Sequence, residues 1–334
     1  KPVYEVMKEG GGSFDQDAYI PAIRFYYSDT EGRMLSMPFN SSTPVLYYNK
    51  EAFQKAGLPD KAPKTWPEFE EVSRKLKDSG SSCPFTTSWQ SWVQIENFSA
   101  WHNVPIANND DGFSALATKM LINGPLQLRH IENMKKWHDE GLFVYGGRAD
   151  VPAGMFYAAK CAMLFTSSGA YGNIVKNSRF EFGVGRLPYY PDVKDAPQNS
   201  IIGGATLWVM SGLPAPVYKG IGNFFRYLSS PEVQAEWSEQ TGYLPVTSAA
   251  REYMEKQGYY AQHPGSDVAI SQLTNKPPTV NSKGIRLGNF LQIRTIIDEE
   301  LEAVWSDKKS AKQALDDAVK RSDEQLASFA SANK

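Results

Sequence analysis

Residues 43–53, TPVLYYNKEAF, place a short apolar run directly before the start of a helix. The run Val45–Tyr48 is typical of a buried strand, and the charged and apolar residues after it predict a helix from about residue 50. Residues 64–80 predict a second helix, residues 81–87 a second strand, and residues 88–98 a third helix. This order is typical of an α/β fold in which a parallel sheet is covered by helices on both faces.

The same order of elements recurs in the second half of the chain. The run CAMLFT (161–166) predicts a strand, and a helix follows from about residue 170. Residues 200–210, SIIGGATLWVM, predict another strand, and residues 222–243 predict two helices divided by Ser-Ser-Pro. Apolar residues repeat at helical spacing over residues 315–329, which predicts a final amphipathic helix that docks on the core. No apolar run approaches the roughly 20 residues of a membrane span.

Composition limits the classes of function. The chain has 334 residues and a formal net charge of -2, with 35 basic and 37 acidic side chains. This length predicts about two domains, and the balanced charge argues against nucleic acid or an anionic membrane as a partner. The opening residues, KPVYEVMKEGGGSF, lack the pattern of a signal peptide, and a mature exported chain is expected to look the same.

The cysteines and histidines carry little chemistry by themselves. Cys83 and Cys161 allow either one disulfide or two buried thiols. The four histidines have no spacing typical of a metal site, so we expect neither a metal nor another cofactor. No nucleophile elbow, phosphate-binding P-loop or HExxH motif is present in the sequence.

Four stretches have the composition expected where strands end and ligands bind in α/β proteins. These are FNSSTP (39–44), TTSWQSW (86–92), TSSG (166–169) and IIGG (201–204). Each has a purely structural alternative. The hydroxyl groups can cap helices, the indoles can fill the core, and the glycines can relieve crowding.

Arg294 is the candidate cation for an anionic ligand. It lies among apolar neighbours in the stretch QIRTIID, where an unpaired charge would be costly. Asp298, four residues later on the same predicted helix, is one possible partner. A bidentate bond to a phosphate or carboxylate ligand is the other.

Two longer stretches resemble the extracytoplasmic solute-binding proteins of ABC importers. They are FNSSTPVLYYNKEAFQKAGL (39–58) and PKTWPEFEEVSRKLK (63–77). Four more are similar to the members of this family that capture sn-glycerol 3-phosphate: SWQSWVQIENFSAW (88–101), DAPQNSIIGGATLWVM (195–210), TGYLPVTSAA (241–250) and KGIRLGNFLQIR (283–294). The likeness runs essentially from Lys1 to the end of the chain.

The resemblance implies a fold and a division into lobes. It predicts a two-lobed α/β clamp of the maltose-binding-protein type, whose chain crosses the hinge several times. Residues 1–43 and 201–285 would form the first lobe, and residues 44–200 and 286–334 the second. Members of the family begin with further β/α units that supply a tyrosine and a glutamate to the ligand. We therefore expect the first lobe here to lack its N-terminal part.

The resemblance also implies the function and the ligand contacts. The predicted function is periplasmic capture of sn-glycerol 3-phosphate, with glycerophosphocholine as a second candidate ligand, followed by delivery to the membrane permease subunits of an ABC transporter. The chain is expected to be a monomer and not an enzyme. A sugar-binding protein of the same fold is one alternative, and a glycerophosphodiester hydrolase that uses Glu96 or Asp298 is another. The ligand contacts carried over from the family are Ser42, Trp89, Trp92, Ser167, Gly204, Tyr243 and Arg294.

Overall fold

A computed structural model describes residues 1–10 and 14–333 of the protein. Residues 11–13 and 334, which the predicted lobes include, lie outside the described residues. The described strands form two sheets with helices packed around them. The strands are β1 (Met37–Ser42), β2 (Pro44–Asn49), β3 (Phe85–Thr87), β4 (Met163–Ser167), β5 (Phe182–Gly185) and β6 (Gly203–Leu207).

The larger sheet has four strands in the order β3-β4-β2-β5. Strand β2 runs antiparallel to both β4 and β5, and β3 runs parallel to β4. The prediction of a purely parallel sheet was therefore wrong. The strands β2 and β3, which two helices connect, are not neighbours, because β4 lies between them. The order strand–helix–strand does not fix the direction of strands that do not pair.

Strand β2 separates two hydrophobic clusters. All of its residues are buried, and successive side chains of a strand point to opposite faces of the sheet. Leu46 and Tyr48 pack into one cluster, and Val45 and Tyr47 pack into the other. The unbroken apolar run that marked this segment in the sequence follows from burial on both faces.

The helices cover both faces of this sheet and extend beyond it. The helix at Trp66–Asp78 begins at a capping box, in which Thr65 and Glu68 satisfy each other's backbone N–H groups. Among the described residues, no helix is both long enough and apolar enough to cross a bilayer. The α-helices of at least five residues are Val3–Glu9, Pro21–Tyr26, Lys50–Lys55, Trp66–Asp78, Pro125–Asp139, Ala153–Tyr157, Tyr171–Asn177, Ala215–Leu228, Pro231–Thr241, Ser248–Lys256, Val268–Leu273, Phe290–Trp305 and Ala311–Ala332.

The smaller sheet pairs β1 with β6 in antiparallel register. Ser42 pairs with Gly203 and Ser41 pairs with Gly204. The strand predicted for residues 200–210 is shorter in the structure, and it ends at Leu207. This pairing brings the hydroxyl groups at the end of β1 next to the two glycines of β6.

Cys83 and Cys161 form a disulfide in the structure. Each cysteine lies two residues before its strand, and the first residues of those parallel strands, Phe85 and Met163, are register partners. Of the two possibilities that the sequence left open, the structure has the bridge. It ties together the starts of β3 and β4, whose other ends lead to the candidate site.

Candidate functional site

One cavity brings together all seven residues that were expected to contact a ligand. It has a volume of 550 Å³, which lies within the range of about 300–1,000 Å³ that is usual for small-molecule pockets. That these residues contact a ligand stays a prediction. Among the residues that line the cavity are Ser42, Trp89, Trp92, Ser167, Gly204, Tyr243 and Arg294.

The ends of strands carry hydroxyl groups into this cavity. Ser42 is the last residue of β1, and Ser167 is the last residue of β4. The hydroxyl of Ser167 accepts a hydrogen bond from the N–H of Gly169 at 3.1 Å, so it does cap the turn that follows. An accepting hydroxyl still has its own proton to donate. The capping role and the ligand role are therefore compatible at Ser167.

The backbone at Trp89 is strained. Its φ is 47°, a left-handed conformation that is unfavourable for a bulky residue and is concentrated at functional sites. The predicted helix begins only after it, as a π-helix over Ser91–Asn97, a form that is also frequent at functional sites. The helix predicted for residues 88–98 therefore starts later than expected, and Trp89 lies outside it. Both indoles nevertheless line the cavity, and the side chain of Trp89 is 43% exposed.

Trp92 is nearly buried, and Gly203 makes room for its indole. A Cβ atom at position 203 would lie only 2.6 Å from Cζ2 of Trp92, which is closer than real contacts allow. The indole N–H of Trp92 is buried and has no hydrogen-bond acceptor within the described part of the chain. A buried donor without a partner is costly. Because this N–H is enclosed, the carbon atoms of the Trp92 indole, and not its donor, line the cavity.

Gly204 is required by the backbone itself. Its φ is 126°, and a Cβ at this position would lie 2.0 Å from the carbonyl oxygen of Asn40 on the paired strand. No other residue type fits this conformation and this close approach. The structural explanation for the two glycines, relief of crowding, is thus correct at Gly203 and Gly204. Both glycines also line the cavity.

Arg294 forms an ion pair with Glu96 and not with Asp298. Its Nε donates to Oε1 of Glu96 and its Nη2 donates to Oε2, each at 2.7 Å. The Glu96 side chain is fully enclosed, whereas that of Arg294 is 28% exposed. Asp298, which the i+4 spacing suggested as a partner, instead accepts a hydrogen bond from the N–H of Ser91 at 3.3 Å. The spacing of residues along one helix did not identify the partner of Arg294, because Glu96 lies in a different helix.

The ion pair with Glu96 leaves the Nη1–Nη2 edge of the guanidinium without a carboxylate partner. A guanidinium has five N–H donors and two edges that can bind an anion in a bidentate manner. Glu96 occupies the Nε–Nη2 edge, and within residues 1–10 and 14–333 no second carboxylate bonds the guanidinium, although the Tyr26 hydroxyl lies within hydrogen-bonding reach of it. Burial of Arg294 opposes its charge, but the negative charge and hydrogen bonds of Glu96 outweigh burial and raise the pKa of the guanidinium. Arg294 is therefore a permanently charged donor fixed at the cavity wall.

Aromatic rings complete the surroundings of this pair. The guanidinium carbon lies 4.6 Å from the centre of the Phe290 ring, a distance at which cation and ring attract each other. Burial raises the pKa of the nearby Tyr26 to about 12; the charge of Arg294 and a hydrogen bond with its guanidinium oppose this rise, and the charge of Glu96 adds to it. Tyr26 therefore stays neutral at physiological pH.

Two carboxylates on the cavity wall are not among the ligand contacts that the sequence predicted. Asp150 and Asp298 both line it, and burial raises the pKa of each carboxyl group. Asp298 had been considered only as a partner for Arg294 or as a catalytic group. Asp150 follows a Gly-Gly-Arg-Ala loop that carries no recognisable motif, so the sequence offered no signal for it.

A cavity with one charged arginine, one exposed and one buried indole, and convergent hydroxyl groups defines a protein that binds a small polar solute. The chain belongs to the bacterial extracellular solute-binding proteins, whose family matches residues 8–265. It is 52% identical to the sn-glycerol-3-phosphate-binding periplasmic protein UgpB of Yersinia pseudotuberculosis, across 100% of this chain and 76% of that protein. The identity to the UgpB protein of Pectobacterium atrosepticum is 50%, with the same coverage. The resemblance inferred from the sequence is thus confirmed.

Solved structures agree on the fold. UgpB of Mycobacterium tuberculosis, in complex with glycerophosphocholine, matches 100% of this chain and 79% of its own with a TM-score of 0.79 and 24% identity. A cyclo/maltodextrin-binding protein complexed with maltotetraose matches 94% of this chain and 77% of its own, with a TM-score of 0.71 and 19% identity. The predicted two-lobed fold of the maltose-binding-protein type is confirmed.

Proposed function

We propose that this protein captures sn-glycerol 3-phosphate in the periplasm and delivers it to the permease subunits of an ABC transporter. The observation that carries the proposal is the free edge of Arg294, which Glu96 holds at the wall of the cavity. Relatives that are 50–52% identical to this chain over its whole length carry this ligand in their names. The protein would bind its ligand and release it unchanged.

The phosphate group would be held by donors that converge on the cavity. Arg294 would offer the edge of its guanidinium that Glu96 does not occupy. The hydroxyl groups of Ser42 and Ser167 would add neutral donors. Hydrogen bonds to charged groups contribute about 1.5–3 kcal/mol each, so a few of them suffice for tight binding of a small anion. Tyr243, which also lines the cavity, would bind the ligand through its hydroxyl.

The indoles would cover the carbon atoms of the ligand. Trp89 presents an exposed face, and Trp92 forms a nearly buried wall against Gly203. Together they would exclude water from the phosphate contacts, and hydrogen bonds are stronger where the local dielectric constant is low. The face of Trp89 also suits a quaternary ammonium group. The exposed face of Trp89 therefore favours glycerophosphocholine as a second ligand. The solved Mycobacterium tuberculosis protein is in complex with this compound.

Ligand binding would close the two lobes. We assign residues 1–43 and 201–285 to the first lobe and residues 44–200 and 286–334 to the second. Ser42 and Gly204 would then face Trp89, Ser167 and Arg294 across the cavity. A ligand that touches both sides favours the closed state through the contacts that exist only there.

The alternatives make different demands on the same residues. A hydrolase would need Glu96 or Asp298 as an acid or a base that reaches the substrate. Glu96 is enclosed and both of its oxygens bind Arg294, so only Asp298, which lines the cavity, remains for that role. A sugar-binding protein would use the indoles and would have no need for a free guanidinium edge at the wall. The site thus favours capture of a phosphate ester.

Calorimetric titration of the chain with sn-glycerol 3-phosphate tests the proposal. We expect saturable binding to one site, competition by glycerophosphocholine, and recovery of unchanged ligand after prolonged incubation. Binding of maltose-like sugars without binding of phosphate esters would contradict it in favour of a sugar-binding protein. Release of glycerol 3-phosphate from a glycerophosphodiester would contradict it in favour of a hydrolase.

A further inference from the structure

A second cavity has nearly the same volume as the candidate site. It measures 510 Å³, against 550 Å³ for the candidate site, and among the described residues none lines both cavities. Asp29, Thr30 and Arg33 line it from the first lobe as assigned above. Phe113 and Leu287 are among the residues that line it from the second lobe. The two cavities therefore both lie between the assigned lobes.

The chain passes from the second cavity to the candidate site just after it crosses between the lobes. The assigned crossing falls between Ile285 and Arg286. Arg286 and Leu287 line the second cavity, whereas Leu291 and Arg294, only a few residues later, line the candidate site. One short stretch of chain thus connects the walls of both cavities.

Close packing holds the crossing on each side of Ile285. A Cβ atom at Gly284, whose φ is 135°, would lie 2.7 Å from Cδ2 of Tyr26 in the first lobe. A Cβ atom at Gly112, in the second lobe, would lie 2.1 Å from the carbonyl oxygen of Arg286. Residue 284 is therefore packed on the first lobe and residue 286 on the second. A rotation between the lobes is then absorbed by the backbone at Ile285.

The wall that the first lobe contributes to the second cavity is a firmly held turn. Oδ1 of Asp29 accepts hydrogen bonds from the N–H groups of Glu31 and Arg33, each at 2.9 Å. Oδ2 of Asp29 accepts another from Nε of Arg33 at 2.8 Å. Thr30 lies within this turn and is exposed. Because its own hydrogen bonds fix the turn, a rotation of the lobes changes the width of the cavity and not the shape of this wall.

We propose that the second cavity lies opposite the ligand cavity across the crossing, so that it widens when the ligand cavity closes and thereby sets the affinity for the ligand. This inference rests on the proposed function and on its assignment of the lobes. Phe113 and Leu116 place apolar side chains on the wall of the second cavity, and water disfavours the exposure of apolar surface. Widening of this cavity therefore opposes closure over the ligand. The apparent affinity decreases with the fraction of molecules that can close, so residues that never touch the ligand determine it.

A bulky side chain in the second cavity tests this coupling. Thr30→Trp and Ala115→Trp each add an indole at an exposed position, one on the first-lobe wall and one on the second-lobe wall. The indole should prevent the second cavity from narrowing and so favour the closed state. We expect calorimetry to show that each variant binds sn-glycerol 3-phosphate about threefold to tenfold more tightly than the unmodified chain. Small-angle X-ray scattering should show a smaller radius of gyration for each variant without ligand.

The matched control is Ala249→Trp. Ala249 is exposed on the helix Ser248–Lys256 and lines neither cavity. This variant should keep the affinity and the radius of gyration of the unmodified chain. Urea denaturation confirms that each variant is folded, and because Thr30 and Ala115 lie on different walls, either variant alone decides the question. Equal or weaker binding in a folded Thr30→Trp or Ala115→Trp variant would overturn the coupling.

The outcomes separate this inference from the proposed function. If the unmodified chain binds sn-glycerol 3-phosphate and the variants in the second cavity bind it no more tightly, the coupling is wrong and the proposed function stands. If the unmodified chain binds no phosphate ester, the proposed function fails. Scattering from the ligand-free variants then decides the coupling by itself: a smaller radius of gyration supports it, and an unchanged radius overturns it.

Discussion

Glu96 accepts two hydrogen bonds from Arg294, each 2.7 Å long, across 198 residues of sequence. The carboxylate is fully enclosed, and the guanidinium is partly exposed to the cavity. This arrangement fixes the orientation of the arginine before any ligand arrives. A donor that is already oriented loses less conformational entropy on binding than a free side chain does. The pair is therefore expected to contribute both to the stability of the fold and to the affinity of the site for its ligand.

Replacement of Glu96 by Gln should affect both properties. The amide can accept one hydrogen bond from Arg294, but its NH2 group faces a guanidinium nitrogen and leaves a buried charge unbalanced. Removal of one partner of a buried pair costs about 3–5 kcal/mol. We expect a lower free energy of unfolding in urea and weaker binding of sn-glycerol 3-phosphate by calorimetry.

The control for this variant is Glu71→Gln, which breaks an exposed ion pair with Lys75. Exposed pairs of this kind contribute little to stability, so stability and affinity should both stay close to those of the unmodified chain. If Glu96→Gln behaves like this control, the orienting role of Glu96 is refuted.

Two substitutions of Arg294 test the roles of its positive charge and of its planar geometry separately. Arg294→Ala should weaken the binding of sn-glycerol 3-phosphate at least tenfold, or by about 1.4 kcal/mol. Arg294→Lys keeps the positive charge but loses the planar fork, so it cannot serve Glu96 and a phosphate in a bidentate manner at the same time. We expect the lysine variant to bind much more weakly than the original chain and more tightly than the alanine variant. Unchanged affinity in the alanine variant would exclude Arg294 from the phosphate site.

Gly204 offers a test of the cavity wall that does not involve charge. Gly204→Ala would place a Cβ 2.0 Å from the carbonyl oxygen of Asn40 at a φ of 126°. The β1–β6 pairing would have to shift, so we expect both a lower melting temperature and weaker ligand binding.

Gly220→Ala is the matched control, because nothing lies within 4 Å of that position in the helix Ala215–Leu228. Alanine there should be neutral or stabilising by up to about 1 kcal/mol. Equal behaviour of the two variants would argue against the steric role of Gly204.

The sequence predicted the local elements better than their arrangement. The strand at β2 and the helix at Trp66–Asp78 follow from an unbroken apolar run and from capping and apolar spacing, which are local properties. Strand direction was not predictable, because hydrophobic periodicity carries no information on which strands pair. The resemblance to the solute-binding proteins supplied what periodicity could not, namely the two-lobed fold.

The candidate site was predictable in its residue types but not in its pairings. The hydroxyl groups and indoles at strand ends stood out because polar residues there follow buried runs. The partner of Arg294 did not, because i+4 spacing favours Asp298 and no local rule connects residue 294 with Glu96. One signal was available: Glu96 is the single charge in the stretch SWQSWVQIENFSAW, and a charge that is buried in such a segment needs a cation.

Asp111 predicts how the stability of the fold depends on pH. Its Oδ1 accepts hydrogen bonds from the N–H groups of Ile106 and Ala107, whereas Oδ2 is buried and has no partner among the described residues. Burial raises the pKa of this carboxyl group from 3.8 to about 6. The folded state thus binds the proton more tightly than the unfolded state, so a fall in pH from 7.5 to 5 makes this group less unfavourable to folding. The expected gain in the free energy of unfolding is about 1 kcal/mol.

Asp111→Asn should remove this contribution while Oδ1 keeps its two hydrogen bonds. We expect urea denaturation at pH 7.5, 6 and 5 to show that the original chain gains about 1 kcal/mol relative to the variant as the pH falls. Asp78→Asn, at an exposed position, is the matched control and should follow the pH profile of the original chain. Parallel profiles for Asp111→Asn and the original chain would mean that the Asp111 carboxyl titrates alike in the folded and unfolded states. Its enclosed Oδ2 would then have to be satisfied by water, which penetrates where the protein provides no donor.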